Sequence, residues 1–139
     1  MPATILVVDE NATTVATVTS ALAEAGYSTV GAQSFHDAVR TLERTAPALL
    51  VASIRLGQYN GLHLLVRGRA EHPRLAAIVI GPPGSASALE ARALGADVYL
   101  PQPLEIRTLL SRVADVLERS AGGERAETAA AANPACAPA

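Results

Sequence analysis

The segment ATILVVDE, residues 3–10, is a short apolar run that ends in two acidic residues. Four more strand-like runs follow it, at residues 27–31, 48–54, 76–80 and 97–100. Segments with helical periodicity separate these runs, and this alternation is typical of a parallel sheet covered by helices on both faces. We therefore predict an α/β fold, a doubly wound (βα)5 sandwich with a central five-stranded parallel sheet.

Five helices are predicted between and after the strands. Ser34 is an expected N-cap with Asp37 three residues on, and Gly26 and Gly95 are expected to end the first and fourth helices. The fifth helix is expected to end near Ser120. Apolar residues spaced three or four apart are expected to face the core in each helix: Val15, Val18, Leu22 and Ala25; Phe35, Ala38, Val39 and Leu42; Leu62, Leu65, Val66 and Ala70; Ala86, Leu89 and Ala93; Ile106, Leu109, Leu110, Val113 and Leu117.

Length and composition limit the class of protein. The 139 residues are enough for one domain, which we place at residues 1–120, and the Ala/Gly/Pro-rich residues 121–139 are expected to be a disordered tail. A net charge of −2 without a basic run argues against nucleic-acid binding. No stretch is long and apolar enough for a membrane span, and the lone Cys136 excludes an internal disulfide, so we expect a cytoplasmic protein.

The residues that follow the predicted strands are the candidates for a functional site. Parallel sheets of this kind bind ligands at the carboxyl ends of their strands. Those ends carry the acidic pair Asp9 and Glu10, then Ser53, Gly81 and Gln102. We expect these five residues to line one pocket.

Three motifs, ILVVDE, VASIRLGQYNGLHLL and GADVYLPQP, occur in this order along the chain. With them, residues 3 to about 120 resemble the receiver domain of bacterial response regulators, which has a flavodoxin-like fold with strand order 2-1-3-4-5. The resemblance implies a role in two-component signal transduction. In that family an aspartate that ends the third strand accepts a phosphoryl group from a histidine kinase.

The chain departs from the family pattern at three positions. Ser53 stands where the resemblance implies the phosphoacceptor aspartate, Gly81 where it implies a hydroxyl residue, and Gln102 where it implies a lysine. Phosphoryl transfer depends on positioning and on cations placed against the phosphoryl oxygens, so these changes remove its main stabilising interactions. Losing one aspartate and one lysine together leaves the net charge of the pocket unchanged.

The acidic pair has two interpretations. In the family these carboxylates hold Mg²⁺, but Mg²⁺ needs several hard oxygen ligands, and the Ser53 hydroxyl is a weak third. We therefore expect Asp9 and Glu10 to form a solvated acidic rim, with no cofactor and with Mg²⁺ binding weak or absent.

Partner binding is inferred from the resemblance alone. Tyr99 matches the family's switch aromatic and, with Gly81 beside it, is expected to hold one orientation; the Gln102–Pro103 bond matches one that is usually cis. Family members bind proteins through the face of the fourth helix, fifth strand and fifth helix, and the same face could pair two copies of this chain. The matching residues are Ser87, Ala88, Ala91, Arg92, Val98, Tyr99, Leu100, Arg107 and Ser111.

The sequence thus predicts a stand-alone pseudo-receiver that is not an enzyme and that acts through protein contacts without aspartyl phosphorylation. Two alternatives stay open at this point. The vacated pocket could bind a small ligand or ion as a sensor, or a serine kinase could phosphorylate Ser53.

Overall fold

A computed structural model describes residues 3–130 of the chain as a parallel sheet between two layers of helices. The strands of the main sheet are β1 (Thr4–Val8), β2 (Ser28–Ala32), β3 (Leu49–Ser53), β6 (Ala76–Gly81) and β7 (Val98–Pro101). Two further strands, β4 (Arg55–Leu56) and β5 (Tyr59–Asn60), form a small antiparallel hairpin. The helices are α1 (Ala12–Glu24), α2 (Phe35–Thr45), α3 (Gly61–Glu71), α4 (Ser85–Ala93) and α5 (Ile106–Ala130).

The strand order confirms the fold class and corrects the predicted numbering. All neighbouring strands of the main sheet are parallel, in the order β2-β1-β3-β6-β7. The expected order 2-1-3-4-5 did not include the hairpin between the third and fourth long strands. Its two strands have only two residues each, which is too short to produce an alternating pattern in the sequence.

Both faces of the inner strands β1, β3 and β6 are buried, which explains why these strands are almost entirely apolar, whereas the edge strand β2 is partly exposed. On one face Leu6 and Leu50 pack with residues of α2, α3 and α4. On the other face Ile5 and Val51 pack with residues of α1 and α5. Successive side chains of a strand point to opposite faces, so each strand contributes to both layers. This packing fixes the sheet, and therefore the relative positions of the strand ends.

The predicted helix ends agree with the structure where the backbone is distinctive. Gly26 and Gly95 follow α1 and α4 with φ of 103° and 102°, a region that glycine occupies at little cost. The Ser34 hydroxyl accepts a hydrogen bond from the Asp37 N–H at 3.1 Å and caps α2. Both predictions are confirmed.

The predicted core stripe of α4 is wrong. Leu89 is 67% exposed, and Ala86 and Ala93 are exposed beside it, whereas Ala91 is fully buried. The spacing of the stripe is helical, but the helix presents this side to solvent. In α3, Val66 and Ala70 are likewise exposed.

Helix α5 extends ten residues beyond its expected end, from Ser120 to Ala130. Alanine, glutamate and arginine, which dominate the added stretch, are favourable residues in helices. The predicted disordered tail is therefore corrected for residues 121–130, while residues 131–139, including Cys136, lie outside the described residues. Between residues 3 and 130, no helix has both the length and the apolarity needed to cross a bilayer.

Candidate functional site

The carboxyl ends of β1, β3, β6 and β7 meet at one edge of the sheet. Val8 pairs with Ala52 and Gly81 pairs with Pro101, so the residues that follow or end these strands are neighbours. They line a cleft of about 640 Å³. The structure brings together all five residues predicted for the pocket: Asp9, Glu10, Ser53, Gly81 and Gln102.

Asp9 lies at the inner end of the cleft. Its Oδ1 accepts a hydrogen bond from the Asn11 N–H at 2.8 Å. Burial raises the pKa of Asp9 above its ordinary value, the hydrogen bond from Asn11 lowers it, and the charge of Glu10 raises it further. The net effect is upward, so ionised Asp9 is held in an environment that favours its neutral form.

Asn11 closes the start of α1. Its side-chain oxygen accepts hydrogen bonds from the N–H groups of Thr13 and Thr14 at 2.8 and 3.2 Å. A helix start would otherwise offer these donors to an anion in the cleft. In this chain the Asn11 amide oxygen uses them.

Glu10 holds the β4–β5 hairpin. Its Oε1 accepts a hydrogen bond from the Gly57 N–H at 2.8 Å, and Gly57 adopts a φ of 64° in the turn. The two residues are 47 positions apart, so no local spacing in the sequence indicates this contact. It shows that one carboxylate of the acidic pair also stabilises a loop.

An aromatic cluster attaches the same hairpin to α2. The rings of Phe35 and Tyr59 stack with centroids 4.9 Å apart, and His36 meets Tyr59 edge-on. The His36 Nε2 and the Tyr59 hydroxyl lie 3.1 Å apart, within hydrogen-bonding distance. The hairpin is thus fixed at both ends, by Glu10 and by this cluster.

Ser53 is the most buried polar residue of the cleft. It is 5% exposed and ends β3, which pairs with β1 and β6. Its hydroxyl makes no hydrogen bond with any of residues 3–130. A side chain at position 61 would collide with the Ser53 carbonyl oxygen, so Gly61 is required for the chain to turn closely past this strand end.

Gly81 and Tyr99 share one space. A Cβ atom at position 81 would lie 2.5 Å from the Tyr99 hydroxyl and 2.8 Å from Ile54 Cδ1. The Tyr99 hydroxyl fills the room left by Gly81 and donates a hydrogen bond to the Pro82 carbonyl oxygen at 2.6 Å. The orientation of Tyr99 in this structure therefore depends on the absence of a side chain at Gly81.

Gln102 lies at the outer side of the cleft. Its backbone N–H donates to the Gly81 carbonyl oxygen at 2.8 Å, and the Gln102–Pro103 peptide bond is cis, as expected. The Gln102 side chain is exposed and carries no charge.

The residues present do not fit a Mg²⁺ ion. Among the described residues, Asp9 and Glu10 are the carboxylates that line the cleft, and each already accepts a backbone N–H. Within the described part of the chain, no three His, Cys, Asp or Glu side chains are grouped so that they could hold a metal. The other oxygen atoms that the lining side chains offer include the hydroxyls of Ser53, Thr13, Thr14 and Thr17, and neutral hydroxyls are weaker Mg²⁺ ligands than carboxylates.

The predicted interaction face is corrected at three positions. Ala91, Val98 and Leu100 are 0%, 8% and 6% exposed, respectively. Val98 and Leu100 pack against α5, because even the edge strand β7 is covered by helices. The face that a partner could reach on α4 and α5 therefore consists of the remaining residues, which are exposed or partly exposed: Ser87, Ala88, Arg92, Arg107 and Ser111.

Residues 5–114 match the family model of the response regulator receiver domain. The response regulator MprA of Mycolicibacterium vanbaalenii is 30% identical over 132 residues, an alignment that covers 94% of this chain and 57% of that protein. The transcriptional regulatory protein GlrR of Escherichia coli is 28% identical over 121 residues, with 86% of this chain and 27% of GlrR covered. The chain thus spans less than two thirds of the length of these relatives.

Solved structures agree with the fold. NtrX from Brucella abortus superposes with a TM-score of 0.84 at 28% identity, over 91% of this chain and 30% of that chain. A CheY-like receiver domain protein from Methanospirillum hungatei superposes with a TM-score of 0.83 at 22% identity, over 88% of this chain and 99% of that chain. The second similarity shows the fold alone.

Proposed function

The chain belongs to the response regulator receiver family, and we propose that it acts in bacterial two-component signalling as a pseudo-receiver, a protein-interaction module that works without aspartyl phosphorylation. The observation that carries this proposal is Ser53, which ends β3 where the family places its phosphoacceptor aspartate. A buried hydroxyl without an adjacent base is a poor nucleophile, and no histidine lines the cleft.

The other cleft residues support the same conclusion. Gln102 offers a neutral amide where the charge of a lysine would pair with phosphoryl oxygens, and amide hydrogen bonds are weaker than charge-assisted ones. Gly81 has no side-chain hydroxyl that could donate a hydrogen bond to a phosphoryl oxygen in the cleft. In the family, the switch aromatic moves inward when the hydroxyl residue shifts toward the phosphoryl group. Here Tyr99 already occupies the space beside Gly81, and no hydroxyl at position 81 could trigger that movement.

The output surface we propose is the exposed part of α4 and α5. Arg92 and Arg107 are exposed on these two helices and make no ion pair within residues 3–130, so their charge is open to an acidic partner. Ser87 and Ala88 beside them are small and would allow a partner helix to approach closely.

Incubation with acetyl phosphate and Mg²⁺, followed by intact mass measurement, tests the proposal. We expect no phosphoryl adduct on the wild-type chain, because the acceptor and the cation are both missing. The double variant Ser53→Asp/Gln102→Lys is the matched control, since it restores both. Any phosphoryl adduct on the wild-type chain would contradict the proposal, and Ser53→Ala would show whether that adduct lies on Ser53.

Pull-down from native lysate tests the output surface. Arg107→Glu is expected to remove a specific partner, and Arg67→Glu, an exposed arginine on α3, is the control that should retain it. Equal capture by both variants would exclude the α4–α5 face.

Burial argues against the kinase alternative. A serine kinase needs its target in an accessible segment, whereas Ser53 is 5% exposed and lies in a strand paired on both sides. A ligand-binding role for the cleft is favoured by a separate observation, the unpartnered Ser53 hydroxyl, and is developed below.

A further inference from the structure

The cleft contains two carboxylates without a neutralising cation. Asp9 and Glu10 each use one oxygen to accept a backbone N–H, from Asn11 and Gly57 respectively. Neither forms an ion pair within residues 3–130. Arg55 also lines the cleft, but it is exposed and forms no ion pair with either of them. The second oxygen of each carboxylate is therefore available to a positively charged ligand.

Ser53 provides an independent indication of a ligand. Only 5% of Ser53 is exposed, it lines the cleft, and its hydroxyl forms no hydrogen bond with the residues whose side chains the structure describes. In that part of the chain, no fully enclosed side-chain oxygen or nitrogen lacks a partner. The Ser53 hydroxyl must therefore be reachable from the cleft, and a ligand there could satisfy it.

We propose that the cleft binds a small organic molecule with a primary ammonium group, held by Asp9, Glu10 and Ser53. An ammonium group carries three N–H donors and a single charge, and so matches three oxygen acceptors. Mg²⁺ would need more ligands than these. An anion would meet two carboxylates and would find the Thr13 and Thr14 amides already used by Asn11.

The walls of the cleft indicate the rest of the ligand. The volume of about 640 Å³ falls in the range of small-molecule sites. Four of the lining residues are apolar: Val18, Pro82, Leu104 and Ile106. Three others carry hydroxyl groups: Thr13, Thr14 and Thr17. A short aliphatic chain with a hydroxyl or a second amine fits this lining. The inference rests on the proposed function only in requiring that the cleft takes up no phosphoryl group.

Titration of the full chain with 4-amino-1-butanol, followed by amide NMR, tests the proposal. For so small a probe we expect a Kd on the order of 1 mM, with shifts at Ser53, Glu10 and Gly57. The neutral isostere 1,4-butanediol should bind at least about ten-fold more weakly, because it lacks the charge-assisted hydrogen bonds.

Variants separate the cleft from the rest of the surface. Asp9→Asn and Glu10→Gln should each weaken the amine by about ten-fold or more, and Ser53→Ala by roughly five-fold. Glu90→Gln, which removes an exposed carboxylate of α4, is the matched control and should bind as the wild type does.

Three results would overturn the proposal: equal binding of the amine and the diol, equal loss with Glu90→Gln, or cleft shifts with MgCl₂ but none with the amine. The acetyl phosphate mass assay on the same sample distinguishes the two proposals. No amine binding and no phosphoryl adduct leaves the proposed function in place, whereas a phosphoryl adduct refutes that function whatever the amine does.

Discussion

Substitution of Gly81 by alanine is the sharpest test of the arrangement around Tyr99. The added Cβ would lie 2.5 Å from the Tyr99 hydroxyl and 2.8 Å from Ile54 Cδ1, and both distances are too short for real contacts. The hydroxyl would have to leave its position and give up its hydrogen bond to the Pro82 carbonyl oxygen. We therefore expect Gly81→Ala to destabilise the fold and to turn Tyr99 outward.

The size of the effect follows from three contributions. Loss of the hydrogen bond costs about 1 kcal/mol, and overpacking beside Ile54 costs about 1–3 kcal/mol. Alanine also restricts the unfolded chain, which stabilises the fold by about 0.4–1 kcal/mol. The net loss is about 1–3.5 kcal/mol in the free energy of unfolding, or a decrease of roughly 4–14 °C in Tm for a domain of this size.

A double-mutant cycle with Tyr99→Phe identifies the cause. Phenylalanine removes the atom that the new Cβ would meet, so Gly81→Ala should cost less in the Tyr99→Phe background, by about 1 kcal/mol. A parallel cycle with Ile54→Val, which removes the Cδ1 atom, measures the second contact. Urea denaturation gives the free energies, and the Tyr99 ring resonances report its orientation.

Additive costs in the Tyr99 cycle, together with unchanged Tyr99 resonances in Gly81→Ala, would refute this account of the cleft. Tyr99 would then be positioned by other contacts, and Gly81 would not determine its orientation.

Three further predictions concern other parts of the chain. Asp9→Asn should raise Tm at neutral pH. Because the pKa of Asp9 is raised in the folded state, the folded protein favours the protonated carboxyl, and its stability falls as pH rises through the folded-state pKa. The gain from Asp9→Asn should therefore disappear below the ordinary pKa of 3.8. Thermal scans that show the same gain at pH 3 and pH 7 would contradict this sign. Glu10→Ala should increase amide exchange of Gly57 by about five-fold, the equivalent of one hydrogen bond of about 1 kcal/mol, while the Asp37 amide at the α2 cap serves as the unaffected control. Leu89→Ala should change stability by less than about 0.5 kcal/mol in urea denaturation, whereas Leu109→Ala, fully buried on α5, should cost about 2–5 kcal/mol; similar costs would show that α4 buries Leu89.

The sequence predicted the sheet well because the inner strands β1, β3 and β6 are apolar runs buried on both faces. Ile5 and Leu6 belong to opposite faces, yet both are fully buried, so a continuous run is the expected pattern. The strand ends follow directly from these runs, and with them the grouping of the cleft residues.

The phase of α4 could not be predicted from its sequence. Its apolar residues are mostly alanines. An alanine side chain buries little apolar area, so alanines give only a weak indication of which side of a helix faces the core. Leu89 dominated the pattern, but in the fold Ala91 is fully buried and Leu89 is 67% exposed. The same error placed Ala91 on the interaction face.

Contacts between distant residues were also beyond the sequence. The β4–β5 hairpin depends on the contact of Glu10 with Gly57 and on the stacking of Tyr59 with Phe35. No local spacing links these pairs. The sequence predicted the pocket residues because the sheet topology places the strand ends together. The contacts that hold the hairpin beside them join residues far apart in the chain, and only the structure shows them.

The two contacts at the edge of the cleft determine how binding there could reach the protein surface. On one side, Tyr99 fills the space beside Gly81 and is hydrogen-bonded to Pro82, so a ligand cannot draw it further inward. On the other side, Glu10 holds Gly57 through a single hydrogen bond at Oε1, and a cation bound at the other carboxylate oxygen would draw charge away from that bond and weaken it. The hairpin, rather than the α4–β7 side, is therefore the element whose position an occupied cleft would change. Partner binding through α4 and α5 would then be the same whether or not the cleft is filled.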